Sequence, residues 1–150
     1  MFLDKDGIEK RIPHRDPFLF VQGVVAFDAQ NKSIECTQCF AEDLDVFKGH
    51  YPDNPIVPGV LLSESIFQSG ALLMSLLAES EDLAENTAHV PVLTRIGGAK
   101  YKRFANPGDV LKIKVEVLET IASATIFKGK LYNDGKLAVH IEFTCAMVEK

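Results

Sequence analysis

"VLLSESIFQSGALLMSLLA", residues 60–78, decides how the rest of the chain is arranged. Only Glu64, Gln68 and a few serines interrupt its apolar or small residues. Length and composition predict a helix from about Val60 to Ala78. A helix that is apolar on every side is surrounded either by protein or by lipid. About 20 residues suffice to span a membrane. Yet a glutamate within a span is costly, the run is short, and strand patterns follow it instead of further spans. The expectation is a helix wrapped by a curved sheet.

The flanks supply that sheet. "FLFVQGVVAF" and "SIECTQCF" lie either side of "DAQNK" and read as two early strands joined by a turn. In "DVLKIKVEVLE", Leu111, Ile113, Val115 and Val117 alternate with Lys112, Lys114 and Glu116, the period of a half-buried strand. "KLAVHIEFTCAMV" places Leu137, Val139, Ile141, Phe143, Cys145 and Met147 on one face. "NDG" at 133–135 is a hairpin signal between "IASATIFKGKLY" and that last strand. "ANPGD" at 105–109 marks another turn, and "ESEDLAENT" after the helix reads as a solvated surface turn. The fold class is α+β: one domain over residues 1–150, with a long helix among about six mostly antiparallel strands.

The totals exclude several function classes. A net charge of −5 argues against a nucleic-acid partner held through overall charge. The first residues, "MFLDKDGIEKR", lack the apolar run of a signal peptide, so the expected location is cytoplasmic. Three cysteines cannot form a disulfide framework. Cys36 and Cys39 form a CxxC, but side chains three apart on a strand point to opposite faces, so two packed cysteines are expected. There is no second CxxC or nearby histidine to complete a metal site, and Gly97-Gly98 lacks the rest of a phosphate loop. No cofactor is expected.

Chemistry concentrates just before and within the helix, in "GHYPDNPIVPGVLLSES", residues 49–65. Pro52, Pro55 and Pro58 stiffen the loop that follows His50, which is useful where a side chain must be aimed. Gly59 opens the helix, where unpaired N–H groups favour negative charge. Glu64 follows about one and a half turns in, with Gln68 one turn further on the same face. Imidazole is a base near neutral pH, helix-terminal N–H groups can hold an enolate oxygen, and a buried carboxyl group can serve as an acid. A base, an acid and an oxyanion site together fit dehydration of a β-hydroxy thioester. A glutamate reaching solvent at one edge and an exposed loop histidine would give the same pattern. The nine residues 51–59 could span up to roughly 30 Å, so His50 could meet Glu64 of its own chain or of another. His14, His89 and His140 read as structural or solvated: His14 in a surface turn, His89 in the loop after the helix, His140 on the polar face of the last strand.

The segment "GHYPDNPIVPGVLLSESIFQ" resembles the signature of the β-hydroxyacyl-acyl-carrier-protein dehydratases (FabZ-type), hot-dog-fold enzymes of fatty acid synthesis. "IPHRDPFLFV" and "AKYKRFANPGDVLKIKVEV" are similar to further segments of the family, so the likeness runs in order over nearly the whole chain. It implies a catalytic pair at His50 and Glu64. It also implies that the Gly59 N–H binds the thioester carbonyl and that the Ile56 carbonyl orients His50. The implied reaction converts (3R)-hydroxyacyl-acyl-carrier-protein to the trans-2-enoyl product without a cofactor or metal. The implied assembly is a homodimer that shares its active sites, with a trimer of dimers as a further step. Tyr51, Ser65 and Gln22-Gly23 depart from the family pattern. The acyl tunnel is expected near Phe67 and Leu61. The carrier surface is expected at Lys100, Lys102 and Arg103, with Arg95 as an addition. The competing readings are a non-catalytic acyl-carrier-binding protein of the same fold and a hot-dog thioesterase.

Overall fold

The computed structural model describes residues 1–82 and 89–149. A short helix α1 (Lys5–Glu9) precedes strands β1 (Gly23–Asp28) and β2 (Ser33–Cys39). A single 3-10 turn (Asp45–Lys48) leads to the long helix α2 (Gly59–Ser80). Strands β3 (His89–Tyr101), β4 (Val110–Ile121), β5 (Ala124–Asn133) and β6 (Lys136–Glu149) complete the chain. All six strands form one antiparallel sheet in the order β1-β2-β4-β5-β6-β3.

The alternations seen in the sequence become the concave face of this sheet. Leu111, Ile113 and Val115 of β4 are buried, as are Ile34 and Cys36 of β2, Phe127 and Leu131 of β5, and Val139, Ile141 and Phe143 of β6. Helix α2 lies against them with Leu62, Ile66, Leu72, Leu73 and Leu76. Its length and composition would suit a membrane span, but ten of its residues are buried within the protein. Phe143 stacks on Phe127 with ring centroids 4.9 Å apart, and Phe67 of α2 meets Phe143 edge-on at the same separation. The helix can sit this close because β5 carries Gly129 beneath it. A Cβ there would lie 2.2 Å from Cγ2 of Ile66.

Serines are tolerated inside α2 because their hydroxyls bond back to carbonyls one turn earlier, Ser65 to Leu61 and Ser69 to Ser65. The CxxC cysteines do point to opposite faces: Cys36 is fully buried, Cys39 half-buried, and both are free. Burial pushes the Cys36 thiol up to about 12.

Four sequence expectations need correction. Phe18–Gln22 is not strand, because Phe18 and Phe20 spend their backbone groups on a side chain of α2, and β1 begins only at Gly23. Residues 121–123 belong to the end of β4 and the β4–β5 turn, since β5 starts at Ala124. His89 opens β3 instead of lying in a loop. In "ESEDLAENT", Glu79 and Ser80 extend the helix and Glu81 caps it, while residues 83–88 lie outside the described residues.

Among the described residues, an edge strand and a helix stripe are left uncovered. Strand β3 ends the sheet with Val92, Leu93, Ile96 and Tyr101 exposed. On α2, the stripe Glu64, Phe67, Ala71, Met74, Ser75 and Ala78 is only half-buried, and Val60 is 73% exposed. A long apolar edge strand beside a half-covered apolar helix invites a second chain.

Replacing Gly129 with Ala forces Ile66 or the helix to move. Overpacking of this kind costs about 1–3 kcal/mol. Denaturant unfolding should show that loss, and an unchanged midpoint would contradict the close approach.

Candidate active site

His50 follows the 3-10 turn and is held by what comes after it. Its Nδ1 lies 3.0 Å from the Ile56 carbonyl oxygen. A carbonyl can only accept, so Nδ1 carries the hydrogen and the lone pair of the neutral ring sits on Nε2. The loop that positions Ile56 is fixed in turn, because the Val57 N–H donates to the Ala105 carbonyl at 2.8 Å. Tyr51 adopts a positive φ of 50° and turns its ring edge-on to His50, centroids 4.9 Å apart. Its side chain points to solvent, with the residue 66% exposed.

Helix α2 begins at Gly59, capped by Pro58 with no side-chain bond. Pro58 accepts from Leu61 and Leu62, and among the described residues no carbonyl partners the Gly59 N–H. The ring of Tyr101, at the end of β3, lies over this first turn. A Cβ on residue 59 would approach it to 3.2 Å, so glycine is what lets strand and helix end meet. The Tyr101 hydroxyl and Ser63 share a 2.5 Å hydrogen bond, tying β3 to the helix beside Glu64.

Glu64 projects from the half-covered stripe of α2, its side chain 23% exposed. Gln68, one turn on and fully buried, donates from Nε2 to Glu64 Oε1 at 3.0 Å. His14 Nε2 lies 3.8 Å from the same oxygen. Both partners come from residues the sequence left without a role. His14 stands between Pro13 and a second proline-bearing turn in "PHRDP", the same stiff-loop setting that singles out His50. Burial pushes the His14 imidazole below its ordinary value of 6.5, against the pull of the Glu64 charge and with help from Arg15.

Among the described residues no hydrogen bond or ion pair joins His50 to Glu64 within the chain. Of these residues, His50 bonds only Ile56, and Glu64 meets only Gln68 and His14. The described residues also contain no group of three His, Cys, Asp or Glu that could hold a metal ion.

A groove of about 610 Å³ starts beside His14 at Ile12 and Pro13 and follows α2 along Ala71, Met74, Ser75 and Ala78. Phe67 sits on the same stripe one turn nearer Glu64, and both Phe67 and Leu61 are half-buried and packed against the core. Lys100, Lys102 and Arg103 are exposed where β3 ends, next to Tyr101 and hence to the first turn of α2. Arg95 is exposed on the same edge strand.

One long helix cradled by a six-stranded antiparallel sheet defines the hot-dog fold. A solved dehydratase heterocomplex, ApeI:P from Xenorhabdus doucetiae, shares it at a TM-score of 0.81 and 16% identity, covering 100% of this chain and 94% of that one. A thioesterase from Pseudomonas aeruginosa shares it at a TM-score of 0.67 and 14% identity, covering 100% and 97%. These likenesses establish the architecture. The family follows from sequence: a family model described as a FabA-like domain matches residues 12–142. The 3-hydroxyacyl-[acyl-carrier-protein] dehydratase FabZ of Nitratiruptor sp. is 34% identical over 148 residues, 99% of each chain. The FabZ of Albidiferax ferrireducens is 36% identical over 145 residues, covering 97% of this chain and 94% of that one. The chain belongs to the FabA-like family, among its FabZ-type dehydratases.

The depressed His14 value has a consequence for stability. The folded state binds fewer protons at this ring than the unfolded chain does, so the contribution is complete above 6.5 and is lost as pH falls below it. The melting temperature should therefore drop on acidification from about pH 7.5 to about pH 5.5, and drop less in His14→Gln. Equal drops in both proteins would contradict this.

Proposed function

We propose that the chain catalyses the reversible dehydration of (3R)-hydroxyacyl-acyl-carrier-protein to the trans-2-enoyl thioester in fatty acid biosynthesis. The observation that carries this reading is the Nδ1 bond from His50 to Ile56, which leaves Nε2 as the base. In the forward step His50 Nε2 removes a proton from C2. The electron pair of that C–H bond forms the C2=C3 double bond as the C3–O bond breaks. Glu64 supplies the proton with which the hydroxyl departs as water. Charge that builds on the thioester oxygen is met by the Gly59 N–H, reinforced by the helix end.

The two side chains cooperate across a homodimer, His50 from one subunit and Glu64 from the other. The unpaired apolar edge of β3 and the half-covered stripe of α2 support this, because pairing β3 with a second copy would cover both. A trimer of dimers is the larger assembly proposed, in the cytoplasm. The acyl chain runs from Glu64 past Phe67 into the groove along α2. The acidic carrier protein docks at Lys100, Lys102 and Arg103, beside the mouth that Tyr101 and Gly59 form.

The test is enoyl formation from a 3-hydroxyacyl carrier protein, with His50→Ala and Glu64→Gln each losing at least about 10²-fold in kcat. Free-thiol release without enoyl product would point to a thioesterase instead. Sharing of the site is tested by mixing His50→Ala with Glu64→Ala and letting subunits exchange. Half of randomly paired dimers are mixed and carry one intact site of two, so about a quarter of the parent activity should return. No recovery in verified mixed dimers would place both groups in one chain.

A further inference from the structure

Gln68 is the one polar side chain of α2 that is fully buried and engaged with three different groups. Its Oε1 lies 2.8 Å from the backbone N of Phe20. Its Nε2 lies 2.9 Å from the Phe18 carbonyl oxygen and 3.0 Å from Glu64 Oε1. The two ends of an amide cannot be told apart by shape, but here the partners settle them. A backbone N–H can only donate, so the atom facing Phe20 must be the oxygen. A backbone carbonyl can only accept, so the atom facing Phe18 must be the nitrogen. With one Nε2 hydrogen spent on Phe18, the other points at Glu64 Oε1.

That oxygen is therefore an acceptor. In a protonated carboxyl group only one oxygen carries the hydrogen, and an atom already receiving a donor is poorly placed to hold it. We infer that Gln68 is a positioning residue which confines the acidic proton of Glu64 to Oε2, the oxygen with no hydrogen-bond partner among the described residues, and so aims it at the leaving hydroxyl. The inference rests on Glu64 being the acid of the proposed reaction. His14 fits the same assignment: its Nε2 approaches Oε1, at 3.8 Å beyond hydrogen-bond length. The frame that holds the amide is the irregular stretch Phe18–Phe20. This explains why an apolar segment with strand character stays out of the sheet.

The step then balances as follows. The Oε2–H bond breaks as the proton passes to the hydroxyl oxygen on C3, and water leaves. The carboxylate that remains is stabilised by the Gln68 N–H already on Oε1, so no group has to move to receive the new charge.

Two measurements test this. The first is kinetic. Gln68→Met should lower kcat by about 10²-fold with KM little changed, the penalty expected for a misaimed proton donor. In a Glu64→Gln background the same substitution should cost almost nothing, because no proton remains to be aimed. Equal losses in both backgrounds would mean that Gln68 merely supports the fold and would overturn the inference. The second needs no change at Gln68 and does not depend on the reaction. In proton–nitrogen NMR spectra of the assembled protein, Glu64→Ala should move one of the two Gln68 Nε2 hydrogens upfield and leave its twin, bonded to Phe18, in place. Two unmoved resonances would overturn the inference while leaving the dehydratase reading intact.

Discussion

A helix with no polar side has to be covered all round, and six strands of one chain cover α2 on one side only. Everything distinctive in the molecule follows from that constraint. The sheet curves around Leu62, Ile66, Leu73 and Leu76, and Gly129 removes the last obstacle to contact. What stays uncovered is a narrow stripe, and Glu64 lies on it. Had this carboxyl group faced the sheet it would have needed a buried partner. Had it faced open solvent it would be an ordinary surface acid. At the margin of an apolar stripe it is partly dried and still reachable, the setting in which a side-chain acid serves chemistry.

The second half of the machinery is built by a different device. His50 is aimed through the backbone: a proline-stiffened loop brings the Ile56 carbonyl round to Nδ1, and the Val57–Ala105 bond anchors that loop to the β3–β4 connection. Glu64 is aimed through side chains, by Gln68 and the segment it holds. Tyr101 ties the edge strand to the helix end, since its ring covers Gly59 and its hydroxyl bonds Ser63. The base, the helix end and the acid therefore sit on three separate supports.

Much of this was legible in the residues. The apolar run 60–78 predicts the enclosed helix, and the alternations at 111–117 and 137–147 predict the faces that enclose it. His50 and Glu64 stand out because each contradicts its surroundings, a polar ring in a stiff loop and a charge in an apolar helix. Gln68 and His14 do not stand out in that way. Their importance comes from contacts 48 residues away in one case and 50 in the other, and no local pattern encodes such a meeting. The run "FLFVQ" misleads for the same reason. Its composition favours a strand, but a tertiary partner claims its backbone groups first. The turn at Ala122-Ser123 was invisible because it uses neither glycine nor proline.

The most direct test is a structure of the assembled Glu64→Gln protein with a 3-hydroxyacyl thioester bound. One imidazole and one residue-64 side chain, contributed by different subunits, should flank the same C2–C3 unit. Nε2 should lie roughly 3–3.5 Å from C2, and the amide should face the hydroxyl on C3. A thioester bound where these two groups never converge, in any assembly the protein forms, would contradict the account.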